Sequence, residues 1–327
     1  MKTLLALLCL GHCLMFDAGR DGRVQETATQ EVETGTWNAD LLDRIGFIGA
    51  SASAGFATRV DYEFDGREMF NSMTLSEVFE VAAPDDDEGG TMVTDRSTAS
   101  FFMSPVRNGR KMVDEILETR PTLVIGVDFL FWYTYGTRGA DGRPLESEAG
   151  RLELLEKGLE QLDRFKCPVI VGDIPYMDDA VGLMLSRKQL PTMETIEAAN
   201  KRIGEWVAAR PGRMLFPLSA LVGRIKSGEA LRIGAHSWSI EQTGTLINAD
   251  RLHPTASGVI AIAQKVGVVV DESIPADRSI PRMRDRFDLD HQVVTGRLSA
   301  RKLEEKKRRE ALRKSLESKE PAGNPGQ

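Results

Sequence analysis

Residues 45–55 read Ile45-Gly46-Phe47-Ile48-Gly49-Ala50-Ser51-Ala52-Ser53-Ala54-Gly55, a short apolar run that breaks abruptly into small residues. Such a run predicts a strand over 45–49 buried on both faces, and the small residues predict a sharp turn at its carboxyl end. Open α/β sheets bind ligands at that edge. A serine there has an exposed hydroxyl and a backbone N–H free to donate, which makes Ser51 a candidate nucleophile. The same composition also suits a plain turn, so this stretch alone assigns no chemistry.

Working outward, apolar runs at 122–129, 168–174 and 213–218 predict further buried strands. Between them lie helical stripes: Met112, Val113, Ile116 and Leu117; Leu152, Leu155, Leu159 and Leu162; Ile196, Ala199, Ile203 and Val207. A last helix is expected over 254–270, with Pro254 in its first turn, where a missing N–H costs nothing. Strands alternating with amphipathic helices predict one three-layer α/β domain with a central parallel sheet over 40–280. The leucine and isoleucine stripes are core positions.

With 327 residues and 41% apolar side chains the chain can bury a sizeable core. A formal charge of -7, without a basic stripe in the first 280 residues, argues against a nucleic-acid binder. Lys2, the apolar run from Leu4 to Leu10 and a second patch ending at Phe16 predict a signal peptide over 1–18, and with it export to the periplasm or beyond the cell. The run is too short for a stable membrane span, which needs about 20 apolar residues. Cys13 stands where a lipid-modified cysteine could, although His12 before it is too large; lipoprotein anchoring is the alternative. A polar linker follows over 19–39. Loss of Cys9 and Cys13 with the leader leaves Cys167, beside Pro168 and an apolar run, as a core thiol. The acidic stretch 84–90 lacks the ligand spacing of a calcium loop and reads as a surface loop. Residues 281–327 form a charged tail, partly helical or disordered, with both signs dense over 301–314; it is expected to be a solvated extension.

The second feature with chemical content is Asn248-Ala249-Asp250-Arg251-Leu252-His253-Pro254-Thr255, just before the last predicted helix. Serine hydrolysis needs an imidazole to take the hydroxyl proton and a carboxylate to hold the ring's tautomer. Asp250 and His253, three apart in one loop, can point into one cleft; a capping turn is the plainer reading. Of four histidines, His12 lies in the leader, His291 in the tail, and His236 in a polar loop with no carboxylate just before it. His253 is therefore the candidate base.

Gly49-Ala50-Ser51-Ala52-Ser53-Ala54-Gly55 after the first strand, Gly126-Val127-Asp128-Phe129 after the middle strand and Asp250-Arg251-Leu252-His253-Pro254 before the last helix resemble, in order and placement, the motifs of the SGNH (GDSL-type) hydrolases. The resemblance spans most of the domain. It implies a flavodoxin-like α/β sandwich, hydrolysis of carboxylic esters through an acyl-enzyme, and no metal or other cofactor. On the matched positions Ser51 is the nucleophile, His253 the general base and then acid, and Asp250 the orienting carboxylate. Two departures stand out. The family's Gly-Asp-Ser is Gly-Ala-Ser here, and Asp128 occupies the position of an asparagine whose amide donates to the oxyanion. An ionised carboxylate cannot donate, and one missing donor costs about 2.7–4 kcal/mol of transition-state stabilisation. The resemblance puts Ser51, Gly109 and Asp128 around the oxyanion, with Asn108 as a substitute amide; a helix-starting turn is the plainer reading of 107–110.

An active serine esterase acting on carboxylic esters is the expected function, with short acyl esters, lipids and acetylated polysaccharide all open as substrates and deacylation of a glycan or lipid one possibility. Two alternatives stay open: a catalytically weakened SGNH-type protein that binds such a ligand, and an acyltransferase that passes the acyl group to a sugar. The substrate is not legible. Trp132, Tyr133 and Tyr135 could wall a sugar or acyl site or simply pack.

Overall fold

The computed structural model describes residues 37–84 and 90–317. The expected leader, nearly all of the expected linker and the acidic residues 85–89 lie outside the described residues. In chain order the first half comprises β1 (Arg44–Phe47), β2 (Val60–Phe64), β3 (Arg67–Asn71), α1 (Leu75–Ala82), β4 (Met92–Asp95), α2 (Pro105–Glu118), β5 (Leu123–Gly126), α3 (Phe131–Tyr135) and α4 (Glu148–Leu162). The second comprises β6 (Val169–Gly172), α5 (Met193–Ala208), β7 (Arg213–Phe216), α6 (Leu218–Lys226), β8 (Leu231–Ile233), β9 (His236–Trp238), α7 (Ile240–Thr243), α8 (Ala256–Ser273), α9 (Met283–Arg286) and α10 (His291–Glu317).

Five strands form one parallel sheet in the order β4-β1-β5-β6-β7. Numbered among themselves in chain order, that is 2-1-3-4-5. The chain leaves β1 toward β4 on one side and returns to β5 on the other, so the order reverses beside β1 and opens a crevice at its carboxyl end. Ser51 follows β1 directly.

Alternation along each strand divides the core in two. Leu123 and Ile125 of β5 and Ile170 of β6 face one cluster with Phe79 of α1 and the α8 residues Val259, Ala263 and Val266. Val124, Val169 and Val171 face the other, with Val113 and Ile116 of α2, Leu155 and Leu159 of α4, and Ile203 of α5. Helices thus cover both faces, the expected three-layer arrangement.

The strands end earlier than their apolar runs. Val127, Phe129 and Leu130 continue the run after β5 and are fully buried, but as loop residues packing beneath the sheet edge. The edge strand β4 (Met-Val-Thr-Asp) has no apolar run and was not expected. The last helix starts two residues after Pro254. Thr255 caps it, accepting from the Gly258 amide, while Pro254 bridges back to Ile247.

The tail corrects the expected boundary at 280. Met283, Phe287, Leu289, Val294 and Leu298 all belong to the core cluster of α1 and α8. Helix α10 packs on α1, β2 and α8. Lys302 is 4% exposed, its ammonium 2.6 Å from Glu77 of α1, and Arg301 pairs with Glu80 at 2.5 Å. Val294, Leu298 and the buried, paired Lys302 seat the helix together with hydrogen bonds from Arg297 and Ser299 to the Val81 and Asp61 carbonyls; only its far end, past residue 310, is fully solvated. Among the described residues no helix is long and apolar enough to cross a membrane.

Candidate active site

Past β1, the Ile48 amide still donates to the Ile125 carbonyl before residues 50–57 coil into successive turns. Asp128, two residues beyond β5, holds that coil. Its Oδ1 accepts from the Ala50 amide at 3.0 Å and the Ser53 hydroxyl at 2.6 Å. Its Oδ2 accepts from the amides of Ala52 and Ser53 at 2.9 and 3.2 Å. Charge-assisted bonds of this kind are about twice as strong as neutral ones, and here four converge on one carboxylate that is 6% exposed. Gly49 makes room for it: a Cβ there would lie 2.3 Å from Asp128 Oδ1.

This overturns the expected place of Asp128 in an oxyanion hole. The carboxylate is spent on the turn, and its partners explain how a buried acidic residue is tolerated beside Ser51. Of the four amides from Ala50 to Ser53 it leaves Ser51's alone, and that N–H has no acceptor among the described residues.

The loop before α8 is closed by its own backbone. The Asn248 amide donates to the His253 carbonyl at 2.8 Å, and Arg251 takes a left-handed φ of 61° at the tight corner. The Asn248 side chain donates to the Pro254 and Ala57 carbonyls, tying this loop to the end of the serine turn. Asp250 Oδ1 accepts from the Leu252 and His253 amides at 2.9 and 3.0 Å, and its Oδ2 lies 2.8 Å from His253 Nδ1. On the other side of the ring, His253 Nε2 is 3.0 Å from Ser51 Oγ. Phe56 leans on the imidazole at 4.6 Å between centroids, and the His253 residue is 3% exposed. Burial pushes the Asp250 carboxyl up, but hydrogen bonds from the His253 and Leu252 amides and the His253 ring outweigh it, holding the group below the usual carboxylate range.

The structure thus brings Ser51, His253 and Asp250 into one chain of hydrogen bonds. It does not bring Gly109 or Asn108 to it. Gly109 lies inside α2, its amide in the helical ladder, and a Cβ there would sit 2.0 Å from the Tyr133 hydroxyl, so its smallness serves packing. Asn108 Nδ2 donates to the Ser100 and Phe101 carbonyls. Tyr133 and Tyr135 are fully buried, whereas Trp132 lines the opening beside Ser51.

A donor not expected from the sequence comes from the loop after β4. Thr98 N–H donates to the Gly49 carbonyl at 3.1 Å and Ser100 N–H to Thr98 Oγ1 at 3.3 Å, leaving Ala99 N–H without an acceptor among the described residues. Ala99 lines the same opening as Ser51 and His253. The signal for it was β4, whose carboxyl end must flank the crevice.

Two spaces meet at Ser51 and His253. One is a slot walled by the Leu218-Leu221-Val222-Ile225 face of α6 and by Ile262 of α8; the other is an opening rimmed by Phe56, Phe102, Trp132 and Met184.

No family model matches the chain, and no curated protein matches it. Similar solved structures include a gut microbial diltiazem-metabolizing enzyme at 11% identity, covering 71% of this chain and 46% of that one with a TM-score of 0.43. The chain thus spans under half of that enzyme's length. A GDSL-like lipase from Parabacteroides merdae matches at 12% identity over 71% of this chain and 95% of its own, TM-score 0.42. A catalytic mutant of an acetylxylan esterase from Geobacillus stearothermophilus matches at 17% over 72% and 97%, TM-score 0.41. At these scores the likeness carries no residue's role across to this chain.

Proposed function

We propose that the chain is a serine hydrolase of carboxylic esters of the SGNH type, its 2-1-3-4-5 sheet being flavodoxin-like. The observation that carries this reading is the unbroken Ser51 Oγ–His253–Asp250 hydrogen-bonded chain at the topological switch point. Ser51 Oγ attacks the ester carbonyl as His253 Nε2 takes its proton, and Asp250 stabilises the imidazolium that forms. The tetrahedral intermediate collapses as His253 gives the proton to the leaving alkoxide oxygen, leaving acyl-Ser51 and free alcohol. Water then attacks the acyl carbon, again losing its proton to His253, and collapse returns that proton to Ser51 Oγ and releases the carboxylic acid. The amides of Ser51 and Ala99 are the donors for the oxyanion, and Asp128 is a positioning residue that aims the first of them.

The alternative of a weakened binding protein drew its support from a carboxylate facing the oxyanion. With Asp128 engaged by the turn, that support is gone. Nothing in the site favours a sugar over water as acyl acceptor. Action outside the cytoplasm is part of the proposal and rests on residues 2–16 alone.

A fluorophosphonate probe is expected to label the purified protein, and Ser51→Ala to abolish labelling. Absence of labelling between about pH 6 and pH 9, where a neutral imidazole can serve as base, overturns the reading.

A further inference from the structure

Four residues of α6, Leu218, Leu221, Val222 and Ile225, stand at i, i+3, i+4 and i+7, so they form one stripe of the helix. That stripe reaches the site, where all four line the slot that begins at Ser51 and His253. Ile262 closes it from α8, and Pro175 and Met177 from the loop after β6. Besides Ser51, His253 and Asp128, no lining residue of the slot carries a polar side chain. Asp128 is fully engaged by the turn. A sugar seated there would lose its hydrogen bonds to water and gain none, at a cost of kilocalories per hydroxyl, whereas an alkyl chain gains with every methylene.

An ester has two arms, and the surroundings of Ser51 differ enough to assign them. Leu218, Leu221 and Ile262 of the slot are each under 10% exposed, and Val222 and Ile225 are half-buried. The opposite opening is rimmed by Phe56, Phe102 and Met184, which are 43%, 50% and 41% exposed. The acyl group stays bonded to Ser51 while the alcohol departs and water enters, so the arm with the more buried lining suits the acyl chain and the arm with the more exposed rim the alcohol.

We propose that the slot beneath α6 is an acyl-chain site, and that the substrates are esters of aliphatic acids longer than acetate. The proposal rests on Ser51 being the nucleophile. Leu221, Val222 and Ile225 are then the residues that set the chain-length limit.

The test is a series of p-nitrophenyl esters from acetate to dodecanoate on the full chain, beside a series of acetate esters of lengthening alkanols. kcat/KM is expected to rise about fourfold per methylene of the acyl arm until the slot is full, then fall, and to respond little to the alkanol. Val222→Phe is expected to lower the octanoate-to-acetate ratio at least tenfold. A series that peaks at acetate, or that follows the alkanol instead, overturns the proposal while fluorophosphonate labelling leaves the esterase reading standing. A measurement without turnover separates the two further. By titration calorimetry, Ser51→Ala is expected to bind decanoate at least tenfold more tightly than acetate; equal affinities overturn the slot whether or not the protein is labelled.

Discussion

The turn that carries Ser51 and the loop that carries His253 meet across one 3.0 Å hydrogen bond, and a single carboxylate organises each. In the His253 loop that carboxylate is local. Asp250 is three residues before the histidine, and its Oδ1 closes the loop's amides while its Oδ2 holds the ring. In the Ser51 turn it is remote. Asp128 reaches the turn across 75 to 78 residues of chain, from the end of a neighbouring strand, and touches three amides and one hydroxyl but not the serine side chain. One carboxylate holds the ring that faces Ser51; the other shapes the backbone that presents that serine. On the proposed function, the division makes Asp250 chiefly a catalytic matter and Asp128 chiefly a matter of stability and aim.

The largest expected effect comes from the local carboxylate. Asp250→Asn keeps an oxygen for the Leu252 and His253 amides, but its NH2 faces His253 Nδ1 and so favours the tautomer with the proton on Nε2, which cannot accept from Ser51. The same exchange in a Ser-His-Asp triad elsewhere costs about ten-thousand-fold in kcat, and a loss of that order is expected here with the melting temperature nearly unchanged. Steady-state kinetics beside a thermal melt read both. A loss under tenfold would remove Asp250 from the chemistry and leave it as a loop residue.

Asp128→Asn sharpens the contrast, because the two views of this residue predict opposite signs. An amide placed in the oxyanion hole would raise activity. In the clamp, one NH2 must instead face N–H donors, so at least one buried amide is orphaned, at about 1–3 kcal/mol. For a chain of this size that is a melting temperature lower by about 2–5 °C. Activity is expected to fall at least about tenfold as the Ser51 amide loses its aim. Faster turnover by the variant would put the carboxylate back in the hole.

The same division between local and remote explains what was legible beforehand. Asp250 and His253 share one loop, and buried strands announce themselves by apolarity, so the three residues that meet at Ser51, the three layers and four of the five parallel strands could be read from neighbours in sequence. The rest depended on partners far along the chain. Nothing near Asp128 says that it turns toward Ala50, Ala52 and Ser53, and Gly109 next to a helix start gives no hint of the Tyr133 hydroxyl lying over it. The edge strand β4, half exposed and ending in Thr94 and Asp95, has no hydrophobic signal, and with it went the Ala99 amide. Helix α10 hid its contact in Val294, Leu298 and one lysine among charges, since a buried ion pair looks the same in sequence as a solvated one.

The smallest expected effect separates carboxylates at this edge by the sign of their response to acid. Asp250 is held below the usual carboxylate range, so its ionised form favours the folded state. That contribution is fully present above the unfolded value of about 3.9 and is lost as pH falls through the lower folded value. Asp95 at the end of β4 is the opposite case. Burial raises its carboxyl more than the Ser97 and Ser76 hydrogen bonds lower it, and the charge on Asp128 adds to the rise. The cost of ionising it is in force above its folded value and is relieved as pH falls toward the unfolded one. Urea denaturation of the parent, Asp250→Asn and Asp95→Asn between about pH 3 and pH 7 reads the difference. The parent's advantage over Asp250→Asn is expected to shrink with acidification, while its standing against Asp95→Asn improves. Parallel trends for the two variants would mean that burial, rather than the hydrogen bonds of the His253 loop, governs Asp250, and the comparison between the two loops would lose its electrostatic half.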